Sequence, residues 1–343
     1  MIIWIYKVDK TFYQQQTYIT NETIWCFGKG VAEMRIGVVG SINMDMTVTA
    51  QRIPGKGETI TGDAIAYIPG GKGANQAVAA ARLGADVTMF GCVGNDDHGK
   101  ALIENLKNEG IHTEYIKVRE NQVTGLAVIT VAESDNCIIV LAGANNTVDI
   151  EYINGIKENL LTCDIVLLQQ EILQETVEYV IGLCASHGVK VILNPAPARE
   201  LKRELIELLD YITPNEHEAR IIFGETADTE SLLKQYPEKL IITQGEKGVI
   251  YIDHEKKAVA LPARKSNVVD TTGAGDTFNG AFAVALGLYD NMEKALTFAV
   301  LASGLSVEKF GAQGGMPKLK DVIRELEDRF DDCNEGDTYR IGG

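Results

Sequence analysis

Paired cysteines, long apolar runs and surplus positive charge are all missing from this sequence. Cys26, Cys92, Cys137, Cys163, Cys184 and Cys333 are scattered and form no CxxC pair. That pattern argues against a zinc site or a disulfide framework and fits idle thiols in a reducing compartment. No apolar run approaches the roughly eighteen residues of a membrane span. The opening Met1-Ile2-Ile3-Trp4-Ile5-Tyr6 is too short for a signal-peptide core. A soluble, cytoplasmic protein is expected. Lys and Arg number 32 against 48 Asp and Glu, giving a net charge of -16. Broad binding to nucleic acid or anionic membrane is therefore not expected. Two nucleotide fingerprints are absent as well: there is no GxxxxGK[ST] loop, and no strand leads into a GxGxxG turn. If a nucleotide binds, its phosphates must be met by backbone N–H groups, a few cations and a metal ion.

What the chain does have is length and apolar content. Its 343 residues, 45% of them hydrophobic, suffice for one large α/β domain or two average ones. Residues 1–33 show no clear period and read as an N-terminal extension, disordered or not native; Met34 is a candidate translation start. From residue 34 the character changes, and Arg35-Ile36-Gly37-Val38-Val39-Gly40 reads as a buried strand. The runs 164–168, 189–193 and 239–243 read as strands buried on both faces, which implies a parallel sheet. Helical patterns at 174–186 and 198–209 lie between them. Alternating β and α segments imply a doubly wound α/β fold with helices on both faces. Stretches 58–67 and 124–141 carry no helix pattern, and the second reads as a hairpin turning at Glu133-Ser134-Asp135-Asn136. Inserted strands of this kind suit a lid or a dimer contact. Residues 331–343 read as a polar, disordered tail.

Four segments carry chemistry. In Thr272-Gly273-Ala274-Gly275-Asp276-Thr277-Phe278-Asn279-Gly280 the glycines stand where a loop enters an apolar helix. The first N–H groups of a helix lack internal partners and suit an anion. Asp276 beside such a site is either a helix cap or the general base of phosphoryl transfer; the residue types alone leave both open. Pro69-Gly70-Gly71-Lys72-Gly73-Ala74-Asn75-Gln76-Ala77 is a second glycine-rich helix start. It suits a polyhydroxylated ligand, or simply a turn. Asn43 and Asp45, just past the first strand, could face one way and read sugar hydroxyls, or serve turn chemistry. Thr213-Pro214-Asn215-Glu216-His217-Glu218 reads as a capping box, or as placing Glu218 near Mg²⁺ and phosphate through water.

Taken together and in order, these segments resemble the ribokinase family, within the wider carbohydrate kinases that include fructokinase and adenosine kinase. Asn194-Pro195-Ala196-Pro197-Ala198-Arg199 is similar too. The resemblance covers about 35–330. It implies a doubly wound, mostly parallel sheet flanked by helices, with a small β-sheet lid (about 43–68 and 112–145) that pairs two subunits as a homodimer. It further implies ATP-dependent phosphorylation of D-ribose at the 5-hydroxyl, with Mg²⁺ and K⁺. Asn43, Met44, Asp45, Gly71, Lys72, Gly73, Ala74, Asn75 and Glu171 would hold the sugar. Asp276 would be the base and also bind the sugar, with Gly273, Ala274 and Gly275 forming the anion hole. Asn215, Thr243, Gln244, Gly245, Glu246, Lys247, Gly248, Gly275, Asp276 and Val300 would meet ATP, Val300 by position only. Asp270, Thr272, Ser306, Lys309, Gly311 and Gly315 would hold K⁺, largely through carbonyl oxygens. Gly315 stands where other members carry Ser, which would remove a hydroxyl. Kinases of the same fold acting on deoxyribose, fructose or a nucleoside are the nearest alternatives, and a non-catalytic sugar-binding protein is a remote one.

Overall fold

The computed structural model describes residues 19–20, 23–24, 34–133, 135–224 and 228–336. Within the expected N-terminal extension, β1 (Ile19–Thr20) and β2 (Thr23–Ile24) form a short antiparallel pair; the rest of 1–33 lies outside the described residues. β3 (Arg35–Val39) opens the domain, followed by β4 (Asn43–Thr49), β5 (Ala64–Gly70) and α1 (Lys72–Arg82). Next come β6 (Asp86–Gly94), α2 (Asp97–Asn108), β7 (Ile116–Arg119), β8 (Gly125–Ala132), β9 (Asp135–Leu141) and α3 (Ile150–Leu160). The middle of the chain supplies β10 (Ile165–Leu168), α4 (Gln174–His187), β11 (Lys190–Leu193), α5 (Arg203–Leu208) and β12 (Tyr211–Ile212). The remainder is α6 (Glu216–Phe223), α7 (Thr229–Gln235), β13 (Ile242–Thr243), β14 (Val249–Ile252), β15 (Ala258–Leu261), α8 (Ala274–Leu288), α9 (Met292–Ser306) and α10 (Leu319–Gly336).

Six strands form one parallel sheet in the order β12-β11-β10-β3-β6-β7. β10 is buried at every position, because helices cover both faces, and so its residues form one continuous apolar run. One core joins the sheet to α1, α8 and α9, and the other joins it to α3 and α4. The chain leaves β3 toward β6 on one side and β10 lies on the other. That reversal opens a crevice at the carboxyl ends of β3 and β10, where open α/β sheets bind ligands. A separate four-stranded sheet, β5-β4-β8-β9, forms the lid, with β4 and β8 parallel and the outer pairs antiparallel.

Several boundaries differ from expectation. β7 lies inside the expected second lid segment but pairs with β6 in the main sheet, so the lid hairpin starts at Gly125. Ala132 pairs with Asp135, which makes its turn tighter than 133–136; Ser134 lies outside the described residues. The 239–243 run is strand only at Ile242–Thr243 and joins an antiparallel three-stranded sheet. Parallel bridges Ile212↔Leu240 and Asn215↔Thr243 still tie it to the main sheet. The helix expected at 198–209 begins only at Arg203; ahead of it the Arg199 N–H bonds to Gln170 Oε1 at 3.1 Å. α10 continues to Gly336, through the first part of the polar tail; residues 337–343 lie outside the described ones. Among the described residues no helix is long and apolar enough to cross a membrane.

α1 starts against the end of β3, and Gly73 permits it. A Cβ there would stand 2.7 Å from both Gly40 C and Ser41 N. Both neighbours are backbone atoms and cannot swing aside. Gly73→Ala is therefore expected to lower stability by about 1–3 kcal/mol or more, read by thermal unfolding. A wild-type melting temperature would contradict this close approach.

Candidate active site

The crevice is built from the ends of β3 and β10, the start of α1 and the start of α8. Ser41, beyond β3, donates to Glu171 Oε2 at 2.6 Å. The Lys72 N–H donates to the same oxygen at 3.0 Å. Glu171, three residues past β10, thus pins the glycine-rich turn to the sheet. Asn43 and Asp45 alternate along β4 and share a face. Asn43 is buried, and its Oδ1 accepts from Asn145 Nδ2 at 2.7 Å. Asp45 packs over Gly70 on the neighbouring strand, where a Cβ would stand 2.2 Å from its carboxylate. Met44, between them, is buried in the core.

α8 begins at a Gly273 N-cap with φ 78°, and no side chain caps it. Asp276, in the first turn, does not fold back on the helix. Its Oδ2 accepts from Asn75 Nδ2 at 3.0 Å and its Oδ1 from Gln76 Nε2 at 3.1 Å. The cap reading of Asp276 thus finds no hydrogen bond behind it. The helix N–H groups that a capping carboxylate would occupy stay turned to the crevice, and Gly275 beside them is exposed.

Gln76 is fully buried. Its Nε2 also reaches Asn194 Oδ1 at 3.1 Å, and its Oε1 accepts from Gln169 Nε2 at 2.7 Å. Asn194 donates to the Thr213 carbonyl at 3.4 Å. Thr213 donates to Asn279 Oδ1 at 2.6 Å, and Asn279 donates to the Gly275 carbonyl at 2.8 Å. Asn75 and Gln76 thereby hold the carboxylate, and Gln76 is braced in turn by Asn194 and Gln169. Sequence reading missed Ser41, Gln76, Asn145, Gln169 and Gln313. Gln76 and Ser41 lay inside runs already singled out, and Gln169 two residues before Glu171, so these could have been found; Asn145 and Gln313 carry no local signal.

The crevice gathers negative charge around one cation. Asp276, foremost, holds the Lys72 ammonium charged against its burial, helped by Glu171, Glu218 and Asp45. Burial pushes the Asp45 carboxyl up to about 7, and the fields of Glu171 and Asp276 add to it while Lys72 opposes. Burial also raises Glu218, against the pull of the Asn215 N–H and Lys72. The capping box at α6 is real: the Asn215 N–H donates to Glu218 Oε2 and the Glu218 N–H to Asn215 Oδ1, both at 2.8 Å. Glu218 nevertheless lies within the fields of Lys72 and Asp276, so both readings of it remain compatible.

The expected nucleotide residues lie at the start of α6, in the 243–248 loop, at the start of α8 and on α9. Thr243 bridges to Asn215, and Gln244 Nε2 donates to Glu216 Oε1 at 3.1 Å. Gly245, Glu246 and Lys247 form a short 3-10 turn that ends at Gly248. Val300 is buried in α9. One turn later, Ser303 donates to the Ala274 carbonyl at 2.9 Å and ties α9 to the start of α8.

The expected K⁺ ligands also converge. Asp270 Oδ1 accepts from the Thr272 N–H and hydroxyl at 2.9 and 2.7 Å, and Oδ2 from the Gly311 N–H at 2.9 Å. Partial burial pushes the Asp270 carboxyl up, but these donors outweigh it and hold it below the ordinary carboxylate range. A Cβ on residue 315 would lie 1.8 Å from the Ser306 carbonyl oxygen. Only glycine can follow this path, so position 315 offers a carbonyl and no hydroxyl. Lys309 is exposed on the same turn. A carbonyl-rich loop braced by one carboxylate fits a large monovalent cation, which takes oxygen ligands without requiring particular side chains. Among the described residues no group of three or more His, Cys, Asp or Glu could hold a metal ion.

Residues 34–319 match the family described as pfkB family carbohydrate kinase. The ribokinase of Bacillus subtilis (strain 168) is 50% identical over 287 residues, covering 84% of this chain and 97% of the relative. That of Lactococcus lactis subsp. lactis (strain IL1403) is 46% identical over 297 residues, covering 85% and 98%. The solved structure of Arabidopsis thaliana ribokinase complexed with ribose and ATP superposes with a TM-score of 0.78 at 33% identity, covering 86% of this chain and 99% of that one.

Asp45 generates a stability prediction. Its folded carboxyl is raised from 3.8 to about 7, so between those values the native state holds a proton that the unfolded chain has released. Stability from this group therefore falls as pH rises from about 4 through about 7. Asp45→Asn should raise the melting temperature more at pH 8 than at pH 5. An equal shift at both pH values would contradict the burial of this carboxyl.

Proposed function

The chain belongs to the pfkB family of carbohydrate kinases, and from that premise we infer that it phosphorylates D-ribose with ATP at the 5-hydroxyl. The observation that carries this reading is Asp276: a buried carboxylate, held by two side-chain amides, beside a helix N-terminus that no side chain caps. The relatives' names and the bound ribose and ATP of the Arabidopsis protein support it. The sugar would lie across the ends of β3 and β10 against Asn43, Asp45, Lys72, Asn75 and Glu171. Its hydroxyls would meet acceptors at Asp45 and Glu171 and donors at Asn75 and Lys72. Asp276 would take the proton of the attacking hydroxyl. The N–H groups of the 273–276 turn would stabilise charge on the transferred group. Asn215 and the 243–248 loop would hold the nucleotide.

Mg²⁺ would supply charge neutralisation at the β- and γ-phosphates, and Glu218 would reach it through water. Such ions are commonly held by one or two carboxylates plus substrate phosphates. The 270–272 and 306–315 segments would hold K⁺ and stiffen the loop entering α8.

The test joins a variant to a substrate panel. Asp276→Asn should fold, and its kcat should fall on the order of 10²–10⁴-fold. ADP release should favour ribose over deoxyribose, fructose and nucleosides, and should increase with K⁺. Near-normal kcat in Asp276→Asn would remove the base assignment, and a clear preference for fructose would remove the ribose assignment.

A homodimer through the lid is part of the same proposal. Ile65 and Tyr67 on β5 and Ile138, Ile139, Val140 and Leu141 on β9 are all exposed, Ile139 by 62%. So many apolar side chains on one small sheet suit burial against a second copy. Ile139→Asp should weaken self-association roughly thirtyfold or more, measured by sedimentation. A variant that associates as tightly as wild type would place any interface elsewhere.

A further inference from the structure

One buried amide outside the crevice is wired into it. Gln313 lies in the loop between α9 and α10 and is 6% exposed. Its Nε2 donates to Asn75 Oδ1 at 3.0 Å. Its Oε1 accepts from Asn105 Nδ2, on α2, at 2.9 Å. Asn75 in turn donates to Asp276 Oδ2 at 3.0 Å. The polarity of this chain is fixed from one end. An ionised carboxylate can only accept, so the Asn75 amide must turn its NH₂ to Asp276 and its oxygen away. That oxygen then needs a donor, which is the NH₂ of Gln313, and the Gln313 oxygen needs one in turn, which is Asn105. Each amide has one orientation that satisfies both neighbours.

The loop carrying Gln313 is itself anchored. Arg82, at the end of α1, donates to the Gln313 carbonyl, and to the Met316 carbonyl at 3.2 Å. Its guanidinium is clamped by Glu109 through bonds of 2.9 and 2.6 Å. Asn75 and Arg82 lie two turns apart on α1, so the loop is fastened to the same helix at both points.

We propose that Gln313 is a positioning residue of the sugar site: by satisfying the buried Asn75 oxygen it holds the Asn75 amide in the place and orientation from which its NH₂ reaches Asp276 and the sugar. The proposal rests on the functional reading above, in which Asn75 meets the sugar and Asp276 is the base. Without Gln313 the buried Asn75 oxygen loses its donor, and the side chain can leave the place from which its NH₂ reaches Asp276. The carboxylate and the sugar then each lose the Asn75 NH₂ as a donor. The nucleotide side, at Asn215 and the 243–248 loop, does not share these bonds.

The test uses Gln313→Met, which keeps the volume and removes both polar ends, and Gln313→Glu, which keeps the bond to Asn105 and presents only acceptors to Asn75. In Gln313→Met, kcat/KM for ribose should fall roughly ten- to a hundredfold, while the KM for ATP stays within about twofold. Gln313→Glu should lose more on ribose and again spare ATP. Titration calorimetry of ribose without nucleotide should show weaker binding in both variants. A folded Gln313→Met with wild-type ribose parameters would overturn the proposal. So would an equal rise in the KM of ribose and ATP, which would mark a loop-packing role. If both variants fail to fold, Asn105→Leu removes only the outer brace, and a few-fold rise in ribose KM alone is expected; no rise would overturn the proposal. Failure of the functional reading looks different, because Asp276→Asn would then keep its activity or wild type would not phosphorylate ribose.

Discussion

A carboxylate buried at the junction of two helices is the constraint around which this protein is organised. Burying an ionised group costs several kcal/mol unless hydrogen bonds replace its water. For Asp276 the replacements are amides from a single turn of α1, at Asn75 and Gln76. They reach it only because α1 and α8 pack very closely. At Gly280 a Cβ would come within 2.7 Å of Ala79 Cβ and 2.8 Å of the Gln76 carbonyl oxygen. α1 is seated in turn on the end of β3 by Gly73. The position of one carboxylate therefore depends on two glycines, Gly73 far from it in sequence and Gly280 one turn farther along α8, each allowing an approach that any side chain would block.

The charge of the chain sets a second constraint. A protein with net charge -16 repels a nucleotide at long range, and its crevice adds Asp45, Glu171 and Asp276 near one lysine. Lys72 cannot by itself neutralise three carboxylates and a triphosphate. The proton that burial leaves on Asp45 below about pH 7 removes one of those charges. The uncapped turn at the start of α8 supplies positive potential without adding a side chain. Backbone dipoles are the economical solution for an acidic protein, since their strength does not depend on the net charge around them.

What was legible in the sequence was whatever leaves a local mark. β10 and β11 were visible because strands covered on both faces become unbroken apolar runs. The starts of α1 and α8 were visible because close backbone approach demands glycine. The resemblance of those glycine-rich runs then assigned roles that the residue types left open, as at Asp276. The amide network was not legible. Gln169, Gln76, Asn145 and Gln313 are uncharged polar residues whose partners lie about a hundred residues or more away in sequence, and an Asn or Gln in isolation reads as surface. β7 was misplaced for a related reason. Its pattern fits either sheet, and only its pairing with β6 decides.

The lid and the crevice share a strand, and this bears on how the site would work. β4 starts at Asn43, four residues beyond the end of β3, and carries Asn43 and Asp45 before running out into the lid sheet. Asn43 is fixed at the strand's root by Asn145, which also accepts from the Ile42 N–H at 3.0 Å. The root of the lid is thus buried and hydrogen-bonded, while its outer strand β9 stays exposed. If such a lid closes, bending beyond its root would leave Asn43 in place. Asp45, half-buried and two residues farther along, sits where the strand leaves the body. A sugar that meets Asp45 draws on lid and body together, so binding energy at one hydroxyl can be spent on closure. Closure would exclude water at the stage when a sugar hydroxyl, rather than water, lies beside Asp276.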